Sequence, residues 1–160
     1  MKKNTRGFSL IELLIVVAII LIIAAIAIPN LLRSRIAANQ ASAVGSIRTI
    51  NTAEITYAST YNNGYSPTLI SLGPGTGNPT SAAAGLLDSV LAGGSKSGYN
   101  FVYTAATPTS PSTRIDTYTV TASPSTVGTT GSNFYFTDMS GVIRQNTTGT
   151  ASVSDSPIGG

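Results

Sequence analysis

The chain has 160 residues with nine Lys or Arg and six Asp or Glu, a formal charge of +3. It has no His and no Cys, which removes imidazole bases, thiol nucleophiles, disulfides and the usual zinc ligand sets. Charged residues make up only 9% of the chain and 42 residues are Ser or Thr, so the composition reads as an uncharged, hydroxyl-rich exterior joined to a very apolar segment.

Residues 1–7 form a basic leader. Lys2, Lys3 and Arg6 all precede Phe8. From Phe8 onward six basic residues (Arg33, Arg35, Arg48, Lys96, Arg114, Arg144) stand against six acids (Glu12, Glu54, Asp88, Asp116, Asp138, Asp155), so the remainder is formally neutral. The basic balance therefore belongs to the leader, and no specific nucleic-acid partner is expected.

Residues 8–29 come next. Leu13 to Ile28 is an unbroken apolar run of 16 residues. Extended from Phe8 to Pro29, the segment reaches roughly 33 Å as a helix, long enough to cross a bilayer core. The basic cluster ahead of it puts the N-terminus on the cytoplasmic side. A secretory signal peptide is one reading, since Ala25-Ile26-Ala27 has the small-x-small form of a cleavage site and would leave Ile28 at the new terminus. Against it, the apolar stretch exceeds the usual 7–15 residues of such a core, and Glu12 sits inside it. An acid at depth in a membrane helix costs on the order of 2.5–3.5 kcal/mol. Ser9-Leu10-Ile11-Glu12 has the form of a capping box, which accounts for tolerance of the acid at a helix start.

The segment Arg6-Gly7-Phe8-Ser9-Leu10-Ile11-Glu12, followed by Leu13-Leu14-Ile15-Val16-Val17-Ala18-Ile19-Ile20, resembles the processing site of type IV pilins and pseudopilins. The resemblance is close over about residues 1–35. It implies cleavage between Gly7 and Phe8 by a prepilin peptidase and N-methylation of the new amino group on Phe8. It implies that Glu12 meets the Phe8 amine of a neighbouring subunit during assembly. It also implies that Pro29 kinks the helix, being the twenty-second residue after the cut; a plain end to the membrane helix is the other reading of that proline. The family often has a glycine eight residues earlier, where this chain has Leu21.

Residues 30–61 lack a further proline until the turn cluster Asn62-Asn63-Gly64. Ile36, Ala43, Ile47, Ile50, Glu54, Tyr57 and Tyr61 recur at helical spacing and predict an amphipathic continuation of the helix. Residues 62–97 are expected as a loop with a short helix over Ser81 to Leu91, stopped by Gly93-Gly94. In residues 98–146 the period changes. Segments 99–104, 115–121, 133–137 and 142–145 are rich in aromatic and β-branched residues and predict an antiparallel sheet of about four strands. Residues 147–160 are expected as a flexible C-terminal tail, where a disulfide common among pilins has no cysteine to form it. Asn146-Thr147-Thr148 matches the N-glycosylation pattern. The seven tyrosines are expected to serve packing, because a nucleic-acid stacking surface would come with a positive groove.

The expected fold class is therefore α+β: a long N-terminal helix with a membrane-spanning first half, packed against an antiparallel sheet. The function implied by the resemblance is a structural pilin subunit that polymerises into a surface filament of the kind used in adhesion or motility. A pseudopilin of type II secretion, in a periplasmic pseudopilus, is the alternative within the family. A membrane-anchored or secreted binding module is the alternative outside it. No enzyme, cofactor or metal site is expected: there is no Ser-x-x-Lys pair, no phosphate-cradling G-x-x-x-x-G-K loop, and Asp116 and Asp138 are isolated. The implied partners are further copies of the chain in a helical homopolymer, the prepilin peptidase, the inner-membrane assembly machinery and, before assembly, the lipid bilayer. The implied location is the bacterial inner membrane first and the extracellular filament afterwards.

Overall fold

The computed structural model describes residues 8–109 and 111–159. The leader expected at 1–7 lies outside them, Gly7 included. The chain divides into two compact units, Met1–Arg35 and Ile36–Gly160. One helix, α1 (Leu10–Tyr61), contributes residues to both. It begins two residues after Phe8 because Ser9 caps it: the Ser9 carbonyl accepts from Leu13 N–H at 3.2 Å.

In the first unit every large apolar side chain of α1 is exposed, and an 18-residue apolar window has none of its residues buried. That helix is long and apolar enough to cross a membrane. Pro29 lies within it. Having no N–H, Pro29 leaves the carbonyl of Ala25 without its intrahelical donor. The helix continues regardless, and Ser34 Oγ donates to the Asn30 carbonyl at 3.0 Å.

In the second unit α1 shows two faces. Ala43, Ser46, Ile47, Ile50, Asn51, Ala53, Glu54 and Tyr57 are buried. Their spacing of three and four is that of one helical stripe, wider than the sequence suggested because Ser46, Asn51 and Ala53 join it. The opposite face is hydroxyl-rich and satisfies itself: Thr49, Thr52 and Thr56 each donate to the carbonyl four residues back at 2.9–3.0 Å. The helix stops where Asn62 (φ 51) and Gly64 (φ 78) turn left-handed.

Gly64 then forms a parallel bridge with Ile115, and Tyr65 N–H donates to the Ile115 carbonyl at 2.8 Å. A Cβ at Gly64 would collide with the Ile115 carbonyl oxygen and lie 2.9 Å from Arg114 Cγ. Positive φ and collision together predict that Gly64→Ala destabilises this unit by about 2–3 kcal/mol. A lowered midpoint in thermal denaturation, followed by circular dichroism, checks this.

The segment expected as a helix from Ser81 is helical only over α2 (Ser89–Ala92). The preceding residues turn their N–H groups outward to another partner: Ala84 donates to Ser71, Gly85 to Gly73, and Leu86 and Leu87 both to Leu72, at 2.8–2.9 Å. Their acceptors belong to a 3-10 turn (Leu69–Leu72) and its cap Gly73. Asp88 starts α2 by accepting from Val90 N–H and Leu91 N–H at 3.1 and 3.0 Å. Alanine-rich composition favours helix, but those tertiary hydrogen bonds take the donors that a helix would need.

The sheet has five strands where about four were expected. They are β1 (Ser95–Lys96), β2 (Tyr99–Ala105), β3 (Tyr118–Pro124), β4 (Phe134–Asp138) and β5 (Arg144–Asn146), ordered β1-β2-β3-β4-β5 and antiparallel throughout. The extra strand, β1, is two polar residues with no hydrophobic alternation to reveal it. It is folded back on β2 by Ser97 (φ 50) and Gly98 (φ 73), the pair of positive φ values that a tight primed turn requires. β3 starts three residues later than the periodicity suggested, because Ile115 is spent on the bridge to Gly64.

β3 alternates fully buried and half-buried residues. Its inward side chains Tyr118, Val120 and Ala122 join Tyr99, Phe101 and Tyr135 against Ala43, Ile47, Ile50, Ala53 and Tyr57 of α1. This helix-on-sheet layer is the core. The α+β architecture, a long N-terminal helix with an antiparallel sheet, is the one the sequence predicts.

Residues 147–160, expected as a flexible tail, return along β5 as far as they are described. Gln145 N–H donates to the Ser156 carbonyl at 3.0 Å and Ile158 N–H to the Ile143 carbonyl at 2.9 Å. Arg144 Nη1 donates to the Asp155 carbonyl at 2.9 Å. The Asp155 carboxylate accepts from Ser152 N–H at 2.6 Å and from Asn146 Nδ2 at 2.9 Å, and the Ser152 backbone bond holds its pKa below the ordinary carboxylate value. This pairing holds the C-terminal residues to β5 without any cysteine. It also occupies both ends of the Asn146 amide, since Thr148 N–H and Oγ1 donate to Asn146 Oδ1 at 2.8 and 2.9 Å.

Candidate functional site

Two chemically distinct features stand apart from ordinary core and surface. One is the start of α1, and the other is a buried carboxyl within the second unit.

At the start of α1, Phe8 is 80% exposed. Glu12 is exposed as well, and its Oε2 accepts the Ser9 backbone N–H at 2.8 Å. This is the glutamate half of the capping box that Ser9-Leu10-Ile11-Glu12 encodes. It holds the carboxylate against the first turn, where the helix dipole favours an anion. The bond engages one carboxylate oxygen, so Oε1 stays available to a second donor. The Gly7–Phe8 junction is described on the Phe8 side alone. Pro29 is inside the same helix, 17 residues after Glu12.

Within the second unit Glu54 is fully buried. Its Oε2 accepts the Ser66 N–H at 2.9 Å, and its Oε1 lies 2.5 Å from Ser66 Oγ. Tyr103 Oη donates to the Ser66 carbonyl at 2.8 Å, and Ser66 Oγ is 3.1 Å from the Thr68 carbonyl. The helix, the loop that follows it and β2 thus meet on one serine. Removal from water pushes the Glu54 carboxyl above its ordinary value of 4.5, while the Ser66 bonds pull the other way. Burial also pushes the Tyr103 and Tyr118 hydroxyls up, with the Glu54 carboxyl adding to both, and raises Tyr99 to about 12.

A second polar group lies beside it. Tyr118 Oη donates to Asn51 Oδ1 at 3.0 Å, and Asn51 Nδ2 donates to Thr137 Oγ1 at 3.1 Å. The tyrosines serve this interior. Tyr103 stacks on Tyr118 with ring centroids 5.7 Å apart, and Tyr65 meets Tyr118 edge-on at 4.8 Å. In the sequence Glu54 read as one member of an apolar stripe. That an acid recurs there at helical spacing was the visible signal; its partner Ser66, twelve residues on, carries none.

The other acids are engaged locally. Asp88 pairs with Lys96 at 2.9 Å and Asp116 with Arg114 at 2.7 Å, and Asp138 Oδ1 accepts the Ser140 N–H at 2.9 Å. Among the described residues no three Asp, Glu, His or Cys side chains come together.

Comparison with known proteins bears on the first feature. A family model described as the prokaryotic N-terminal methylation motif matches residues 2–28. The type IV wide pilus major component PilA4 of Thermus thermophilus is 65% identical over 37 residues, covering 23% of this chain and 28% of that protein. The type IV major pilin protein PilA of Myxococcus xanthus is 46% identical over 56 residues, covering 35% of this chain and 26% of that protein. The matched region thus spans about a quarter of each relative's length. No solved structure matches significantly. The chain carries the prokaryotic N-terminal methylation motif, and its N-terminal region is similar to those of these two type IV pilus components.

Proposed function

We propose that this chain is a structural subunit that polymerises through the first part of α1 into a type IV pilus filament on the cell surface. The observation that carries the reading is the N-terminal segment itself: a basic leader, the Gly7–Phe8 junction, an acid held at the first turn of α1, and an exposed apolar helix. A helix that is apolar on all sides and buried against nothing in its own unit needs an apolar environment. A bilayer supplies it before assembly, and the same segments of neighbouring subunits supply it afterwards.

In this reading a prepilin peptidase cuts between Gly7 and Phe8, the Phe8 amine is methylated, and Glu12 pairs with that amine on a neighbouring subunit. Pro29 is the point where α1 bends. The precursor sits in the inner membrane, where the assembly machinery draws on it, and the product is extracellular. Both named relatives are type IV pilus components, which favours pilin over pseudopilin. The work of the subunit is packing and needs no catalytic group.

Mass spectrometry and N-terminal sequencing of the protein from sheared surface filaments test the reading. The expected result is a chain beginning with methylated Phe8 as a filament component. A terminus at Ile28, or an uncut chain with no filaments, would refute it.

A further inference from the structure

We infer that Arg33 and Arg35 bind phospholipid phosphates at the outer face of the membrane and become the main basic anchor of the subunit once the leader is removed. This rests on the reading above that the apolar part of α1 spans a membrane.

The geometry begins with length. From Leu10 to Ile28, α1 rises roughly 28 Å, against about 30 Å of hydrocarbon in a bilayer. Arg33 then lies about 7 Å beyond Ile28 along the axis and Arg35 about 10 Å. The headgroup layer adds roughly 5–8 Å on each side, so Arg33 falls within it and Arg35 at its rim. Two residues apart on a helix is about 200° of rotation, so the two guanidinium groups reach phosphates on opposite flanks of α1, and their apolar stems lie along the helix.

The counter-charge must come from outside. Both arginines are exposed and neither makes an ion pair among the described residues. Lys96 and Arg114 have acidic partners, and Arg144 is held by the Asp155 carbonyl. No acid stands between Glu12 and Glu54 in the sequence, and Glu54 is fully buried on Ser66. A guanidinium presents paired N–H donors that match phosphate oxygens, and each basic residue at an anionic membrane surface shifts partition by roughly fivefold.

Processing changes which end holds harder. Before the cut, Lys2, Lys3 and Arg6 outnumber Arg33 and Arg35 across the span. After it, one amine on Phe8 faces two arginines. The stronger hold then passes from the cytoplasmic end to the outer end, and the subunit waits for assembly at a depth set by Arg33 and Arg35.

Solid-state NMR tests this through dephasing of guanidinium carbon-13 by lipid phosphorus-31. The sample is the full-length chain with Arg6→Lys, labelled at arginine, in vesicles of phosphatidylglycerol and phosphatidylcholine. Resistance to carbonate extraction is verified first; a chain that carbonate releases refutes the membrane reading, not the arginine assignment. With insertion intact, the expected result is clear dephasing. It is lost in the Arg33→Gln, Arg35→Gln double variant and kept in Arg48→Gln. No dephasing in the parent, or unchanged dephasing in the double variant, overturns the inference. Absent dephasing together with filaments lost in the double variant would assign these arginines to acids of neighbouring subunits.

Discussion

Glu12→Ala should reduce filament assembly to background while leaving leader removal intact. In the proposed reading the cut falls between Gly7 and Phe8, on the far side of Phe8 from Glu12, so leader removal is expected not to need the carboxylate. Assembly does in the reading proposed here. Two unit charges about 4 Å apart gain roughly 4 kcal/mol at an effective dielectric near 20, or about three powers of ten per subunit contact. A carboxylate carried into an apolar bundle without that partner meets a desolvation cost of similar size, so a misplaced subunit is rejected as well as a mutant one.

Glu12→Gln separates charge from capping. Its amide oxygen can still accept the Ser9 N–H that Glu12 Oε2 accepts at 2.8 Å, so helix initiation survives and the charge does not. Electron microscopy of surface filaments should show the same loss for Gln as for Ala. Normal filaments from Glu12→Gln would show that the cap, not the charge, is what assembly requires.

The second large effect is in the head. Glu54→Ala removes a fully buried side chain and leaves the Ser66 N–H without its acceptor. An orphaned buried donor costs about 1–3 kcal/mol and the cavity adds to it, so a total of about 4 kcal/mol is expected. The loss is read as a fall in the unfolding midpoint of the full chain in detergent, followed by the near-ultraviolet signal of its tyrosines. Glu54→Gln keeps an acceptor and the volume, and should cost much less.

The same residue gives stability a pH dependence of definite sign. The folded state raises the Glu54 carboxyl above 4.5, so the folded chain binds a proton more readily than the unfolded chain. Stability from this group is complete below the unfolded value. It declines as pH rises through the folded value, because the buried carboxyl must then ionise. Glu54→Gln should flatten that part of the profile. A wild-type profile with no such decline, or an unchanged one in Glu54→Gln, would place the pH dependence elsewhere.

The parts of this molecule that were legible in the sequence are those whose cause is local. The apolar run from Leu13 to Ile28, the cap at Ser9, the stop at Asn62-Asn63-Gly64 and the aromatic alternation of β2 and β4 each rest on neighbours within a few positions. Elements made by distant partners were misread. Alanine-rich 81–88 is not helical because the N–H groups of 84–87 go to residues 71–73. β1 is a strand because β2 lies beside it, not because Ser95 and Lys96 favour one. The pairing of 156–158 with 143–145 likewise depends on a return of the chain that no local pattern marks.

The sequence alone determined an α+β chain with an N-terminal methylation motif and an apolar segment whose one acid sits at its first turn, because periodicity, capping and charge placement act over a few residues. The tertiary structure decided the rest: that Glu54 is a buried carboxyl held by Ser66, which Tyr103 holds in turn, and that Arg33 and Arg35 have no acidic partner among the described residues. Those facts depend on which side chains are brought together across long stretches of chain, and burial and pairing of charge are properties of that assembly, not of any window of sequence.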